Sequence, residues 1–269
     1  MQIKPKMKKE NFFQMLRNLL FPHFRFFSLT FLLLSCHFLL YFFCIFYSGV
    51  VQNDPDDFLA ITQKSLYAFG ENYPYFIIKE HEYWRLFTNA LLVANFFHLM
   101  TIFISLLIIG SYLEKRLGFT NYLMLFLFSS LSSALQSILI HDSPSVGGSF
   151  FSLSIVGCVS AMASHYQLME ANGIIRENEW KELMEFPIKH AKEFQYLVNA
   201  IWLMDLIVGI NNRNIDLLGN AMAVVNGNYM GWVMVQEGRK GWNLLRKMSP
   251  GIVLTGLFIG ILFRNPDLF

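Results

Sequence analysis

Ser149 stands behind two glycines, Gly147 and Gly148, where a short polar loop gives way to an apolar run reaching about Ala163. That placement puts a hydroxyl at or just inside a membrane surface. Serine is a poor nucleophile until a neighbouring group takes its proton. In peptide cleavage the same group must then pass that proton to the leaving amine. Few side chains could serve. His98, His141 and Asp142 are the candidates, and no histidine follows His190. Asp205 lies in a later apolar run, where a carboxylate is a functional candidate by default. Its plainer reading is a group near the outer end of that run, paired with Arg213 or water. His37, in the first apolar run, has no metal-spaced partner and reads as a hydrogen-bonded structural residue.

The elements that must position these groups are membrane spans. The 269 residues include 28 Phe, only 15% are charged, and the mean hydropathy is +0.41. Several apolar runs approach the roughly 20 residues that cross a bilayer. The composition therefore predicts an all-α polytopic membrane protein with no separate soluble domain. Residues 1–25 form a basic tail with Phe12, Phe13, Leu16 and Leu19 between the charges, suited to lie on a cytosolic membrane surface. A mitochondrial presequence is the competing reading of that tail. Spans are expected over 26–50, 87–112, 122–140, 149–165, 194–210 and 215–235, and a short apolar run at 251–263 makes a seventh candidate. This divides the chain into the tail, a six-span domain over 26–235, and a basic loop with a short apolar helix over 236–269. Within 167–194, Trp180, Leu183, Met184 and Ile188 recur at helical spacing and predict a surface-lying helix. Cys36, Cys44 and Cys158 all fall in apolar runs and suggest no disulfide framework. With the N-terminus in the cytosol, Lys64, Lys79, Arg85, Arg213 and Arg264 face the other side, and the rest of the 21 Lys and Arg face the cytosol. That asymmetry fits the positive-inside rule.

Four motifs in order resemble one family. Tyr83-Trp84-Arg85-Leu86-Phe87-Thr88 with Ala94-Asn95-Phe96-Phe97-His98-Leu99 resembles the first loop and second helix of rhomboid intramembrane serine proteases. Gly110, Leu113, Glu114 and Gly118 match that family's Gly-x-x-Leu-Glu-x-x-x-Gly pattern. Ser145-Val146-Gly147-Gly148-Ser149 resembles its nucleophile segment, usually Gly-x-Ser-Gly. Gly70 and Tyr73-Pro74-Tyr75-Phe76-Ile77 resemble the loop of the secretory-pathway branch, and six spans plus one at the end suit that branch. The resemblance covers about residues 68–231 and implies a rhomboid-like six-helix bundle with a seventh C-terminal helix. It also implies roles: a serine on the fourth helix attacks, a histidine on the sixth is the base, and a His and an Asn on the second hold the oxyanion.

Matched position by position, the pattern departs at most of those roles. Ser149 fills the nucleophile position, but Phe150 stands where the family has Gly, a ring expected to crowd the substrate path. Asp216 opens the sixth-helix motif, and Gly219, Ala223, Gly227 and Gly231 recur every four residues as a small-residue stripe that allows close helix contact. That register puts Asn220 at the place of the base. On the second helix Val93 replaces a His, Ile102 replaces the oxyanion Asn, and His98 is kept. An amide neither accepts nor returns a proton near neutral pH. Losing a triad member costs several orders of magnitude in rate, and an oxyanion donor a further factor on the order of 10²–10³.

The resemblance so altered implies a rhomboid pseudoprotease that binds transmembrane helices of client or partner proteins entering between the second and fifth helices. The alternatives are a structural subunit of a larger membrane complex, and a serine endopeptidase with a relocated base. Partners are expected to be membrane lipids and transmembrane helices, with no nucleic acid. Nothing resembles a zinc site, a phosphate loop or a nucleotide fingerprint, so no cofactor is expected. The secretory pathway or plasma membrane is favoured, with the mitochondrial inner membrane as the competing location.

Overall fold

The first span, α1 (Leu29–Ser48), starts where Ser28 accepts the Phe31 amide on its Oγ. Its remaining free amides meet a distant carboxylate: Glu114 accepts from Leu29 N at 2.7 Å, and from Thr30 N and Oγ1 at 2.9 and 2.6 Å. An anion at a helix N-terminus satisfies orphan donors and complements the helix dipole. Glu114 thus ties the first span to the turn between the second and third. Gly118 makes that turn with φ of +76°, a left-handed conformation that suits only a residue without Cβ.

The computed structural model describes residues 26–51, 58–172, 191–212, 214–235 and 243–263. The basic tail, Arg213 and the expected surface helix around Trp180 lie outside the described residues. After α1 come three short helices of the first loop: α2 (Gln63–Ala68), α3 (Pro74–Ile78) and α4 (Arg85–Thr88). The second span is α5 (Phe96–Ser105), widened into a π turn at Leu106–Gly110 and continuing into α6 (Ser111–Ile140). Beyond Gly118, α6 is the third span. Then follow α7 (Phe150–Ala171), α8 (Ala191–Asn211), α9 (Leu217–Val235) and α10 (Asn243–Leu262). Leu29–Ser48 and Phe96–Ile140 are long and apolar enough to cross a bilayer, and the latter folds back at Gly118. The apolar stretches Phe150–His165, Asn199–Asn211 and Met248–Ile261 are shorter. The architecture is an all-α polytopic membrane bundle. The last helix is longer than its apolar run: it begins at Asn243, carries Pro250 inside, and docks through Ile261 and through Phe258, whose ring lies 5.5 Å from that of Tyr83.

Arg85 organises the first loop. It is buried, donates from Nε to Glu82 and from a guanidinium nitrogen to the Tyr67 carbonyl at 3.0 Å. The Tyr67, Phe76 and Trp84 rings lie within 5.0 Å of its guanidinium carbon. Trp84 reaches over Gly70, where an added Cβ would stand 2.3 Å from both the indole and Thr88 Oγ1.

α7 and α9 pack backbone to backbone. A Cβ on Gly227 would fall 2.0 Å from the Ser154 carbonyl oxygen, and one on Gly231 2.6 Å from that of Cys158. From the other side a Cβ on Gly157 would fall 2.1 Å from the Val224 carbonyl oxygen. Between these contacts Ala223 is buried, and its carbonyl accepts from Ser154 Oγ at 2.9 Å. The small residues of the stripe permit this approach, which dispersion and short polar contacts hold in an apolar solvent.

Overpacking usually costs about 1–3 kcal/mol, and a clash with backbone has no flexible neighbour to yield. Gly227→Ala is therefore expected to destabilise the bundle by about 3 kcal/mol or more in detergent unfolding. Gly256→Ala, with no heavy atom near its Cβ, should leave stability unchanged. A second test concerns pH. Glu71, in the first loop and 2% exposed, receives the Gln63 amide on both carboxylate oxygens. Burial pushes its pKa from 4.5 up to about 7, against the opposing pull of Gln63 and Arg85. The folded state therefore holds a proton there that the unfolded chain releases at lower pH. Stability is expected to fall by on the order of 2 kcal/mol between pH 4.5 and about 7, and Glu71→Gln to flatten that part of the profile.

Candidate functional site

Three segments suspend the loop that carries Ser149. Asn72 and Ser145 exchange backbone hydrogen bonds of 2.8 and 3.1 Å, which join the loop to the first loop. Val146 donates to the Asn214 carbonyl at 2.8 Å and accepts from Asp216 N at 3.3 Å, which joins it to the turn before α9. Gly147 N donates to Asn89 Oδ1 at 2.8 Å. Asp216 adds a brace: one carboxylate oxygen accepts Ser145 Oγ at 3.2 Å, and the other accepts Gly219 N at 2.7 Å and caps α9. His37 approaches from α1. Its Nδ1 donates to the Leu33 carbonyl at 2.7 Å, and its Nε2 lies 3.3 Å from the Gly148 carbonyl.

Ser149 is fully buried at the start of α7. Its hydroxyl donates to Asn220 Oδ1 at 2.7 Å. The amide nitrogen of Asn220 donates in turn to Asp205 Oδ2 on α8 at 2.9 Å. Asn220 and Asp205 are 4% and 3% exposed, so water does not replace these bonds. Thr101, on α5, stands beside the Asp205 carboxylate, and its hydroxyl donates to the His98 carbonyl at 2.9 Å. In this row the amide oxygen of Asn220 faces the hydroxyl and its nitrogen faces the carboxylate. The row hydroxyl, planar nitrogen-bearing group, carboxylate has the order of a catalytic triad, but the middle member is an amide. Its carbonyl accepts a hydrogen bond without becoming a base at neutral pH.

Among the described residues no imidazole is hydrogen-bonded to Ser149 Oγ. His98 is buried on α5; its Nδ1 accepts the Ala94 amide at 3.3 Å, while its Nε2 has no partner. His141 is exposed and bonds Ser143 Oγ at 2.7 Å, and Asp142 is exposed beside it. Val93 and Ile102 are buried apolar groups. The Ile102 side chain lies 3.3 Å from where a Cβ on Gly148 would stand, so hydrocarbon flanks the glycine that precedes the serine. Asn95 caps α5 by accepting the His98 amide at 2.8 Å.

One expectation changes. Asp205 does not stand in water; it is buried and accepts from Asn220, and Arg213 lies outside the described residues. The Phe150 ring is fully buried. It fills a slot between Gly147 and Gly219, whose added Cβ atoms would meet it at 2.3 and 2.5 Å, and it packs with Leu86, Ile138 and Leu153. The glycine at 219 makes room for the ring that 150 carries.

Sequence reasoning noticed Asp205 and Asn220 but did not join them. The signal was available: they are equidistant from the turn near residue 212, so two antiparallel helices place them at one depth. Asn89 and Thr101 went unnoticed, because nothing in their spacing distinguishes them from other polar residues near helix ends.

Residues 80–237 match the Rhomboid domain family. The chain is 29% identical over 178 residues to RHOMBOID-like protein 5 of Arabidopsis thaliana, covering 65% of this chain and 52% of that one. It is 32% identical over 152 residues to Rhomboid-like protease 1 of Toxoplasma gondii, covering 55% and 50%. It is 30% identical over 95 residues to Inactive RHOMBOID-like protein 8 of Arabidopsis thaliana, covering 34% and 27%. The chain spans about half the length, or less, of these curated relatives. No solved structure gives a significant match.

Removing a partner from a buried polar chain strands the others. Ser149→Ala is expected to cost about 1 kcal/mol, and Asn220→Ala, which leaves both a hydroxyl and a carboxylate unpaired, about 3 kcal/mol. The double variant should cost less than the sum of the two in detergent unfolding.

Proposed function

The chain belongs to the rhomboid family, and from that premise we propose that it is a member without protease chemistry that binds transmembrane helices of client or partner proteins. Rhomboid proteins are integral membrane proteins, and so is this one. The observation that carries the proposal is the 2.7 Å bond from Ser149 to an amide oxygen. A general base contributes typically 10²–10⁴-fold by moving a proton in the transition state. Asn220 holds the hydroxyl in place and moves none. The second helix adds to the deficit: Ile102 and Val93 offer hydrocarbon where an oxyanion requires donors.

What remains is the bundle and its lateral faces. The serine loop stays braced from three sides, so the loss of chemistry leaves the scaffold intact. The basic tail and the 167–194 segment supply cytosolic contacts, with the N-terminus on the cytosolic side. Clients are single-span proteins whose helix lodges between α5 and α8. A relative that carries the word inactive in its name is in keeping with this reading.

Fluorophosphonate labelling of the purified protein checks it. The native chain is expected to label no more than Ser149→Ala. Asn220→His, which places an imidazole between the serine and Asp205, is expected to raise Ser149-dependent labelling. Native labelling that vanishes in Ser149→Ala would establish a working nucleophile and end the proposal.

A further inference from the structure

The fifth span touches the bundle through a narrow strip. On α8, Ile201, Asp205 and Gly209 are buried at four-residue intervals, whereas Trp202, Leu203, Met204, Ile207 and Ile210 face outward. Asp205 is the ionisable group on that strip. Its hydrogen bond runs to the Asn220 amide on α9, and the Thr101 side chain of α5 stands beside it, so the carboxylate lies at the seam between the second and fifth spans. Both neighbours are neutral. Among the described residues the salt bridge is Arg85 with Glu82, in the first loop.

A carboxylate inside a membrane is costly unless a cation or donors meet it, and such groups mark binding or transport paths. The donor that meets this one is a neutral amide. Hydrogen bonds with charge on both sides are roughly twice as strong as neutral ones. A cation arriving on another helix therefore has something to gain here that a plain apolar helix lacks. The geometry also permits exchange. Asn220 uses its nitrogen for Asp205 and its oxygen for Ser149, so giving up Asp205 leaves the bond to Ser149 in place.

We propose that Asp205 is the selector of the helix-binding site: it pairs with a Lys or Arg side chain carried inside the transmembrane segment of a partner that lodges between α5 and α8. The incoming ammonium or guanidinium replaces the Asn220 amide as donor to the carboxylate. This rests on the helix-binding function and specifies its ligand class. An apolar helix is held only by the outward residues of α8 and the facing side of α5. A basic helix is held by those contacts and by one charge pair. A helix with an Asp at the same depth is repelled.

The test uses the full chain reconstituted in vesicles with single-span probe helices of Leu and Ala. The probes carry Lys, Leu or Asp at mid-bilayer depth, and a photo-crosslinker replaces Trp202, which is outward and outside the polar chain. Capture of the Lys probe is expected to exceed that of the Leu probe about tenfold. In Asp205→Asn the excess of Lys over Leu capture should vanish, and detergent unfolding of the variant reports separately that it is folded. Asp205→Lys should reverse the order in favour of the Asp probe. Equal capture of Lys and Leu probes by the native chain overturns the selector and leaves helix binding standing. Failure to capture any probe overturns helix binding, and the selector with it.

Discussion

The closest constraint in the molecule is the contact of two backbones. α7 and α9 approach until carbonyl oxygens of one stand where a Cβ of the other would be, at Ser154 against Gly227 and Cys158 against Gly231. No side chain separates the helices there, so their relative height and rotation are fixed within narrow limits. The bond between Ser149 and Asn220 follows from that register, since both lie at the same end of the two helices. Phe150 and Gly219, each adjacent in the chain to one of that pair, meet by the same geometry. The polar chain is a consequence of the apolar seam, set by where the glycines fall.

The polar groups then satisfy one another rather than water. Asn220 joins α9 to α7 and α8. Asn226 joins α9 to α6 through Ser133 and Gln136, each at 3.0 Å. One helix thus contacts its neighbours by amides on opposite sides, with small residues between them. In a low-dielectric interior such networks favour one arrangement over others, because every alternative leaves a donor or acceptor stranded. The row of hydroxyl, planar group and carboxylate differs from a catalytic one by the identity of that single planar group.

Much of this was legible in the residues. The all-α bundle followed from hydrophobic runs, although the second span begins at Phe96 and not at Phe87, and the stripe from Gly219 to Gly231 foretold the close helix pair. The missing imidazole could be read without a register, since no histidine follows His190. Arg85 was marked by its motif with Trp84, and the Tyr67 carbonyl and Glu82 hold it. The reach of Glu114 back to α1 was not legible, because a motif residue's partner 85 positions away leaves no local trace. The slot that holds Phe150 was hidden for a related reason. The space for the ring is made by Gly219, a residue distant in the chain whose own meaning was assigned to helix packing alone. Asp205 was judged by its own run of sequence, and its partner lay on the next one.

The cap on α1 has a consequence for how the protein is made. Leu29 leaves the ribosome 85 residues before Glu114. At ordinary elongation rates of about 5–20 residues per second, that is a wait of roughly 4 to 17 seconds. During that interval the opening amides of the first span have water, lipid headgroups or the insertion machinery for company. The final depth and tilt of that span are therefore settled after translation of the second, when the carboxylate arrives to claim them.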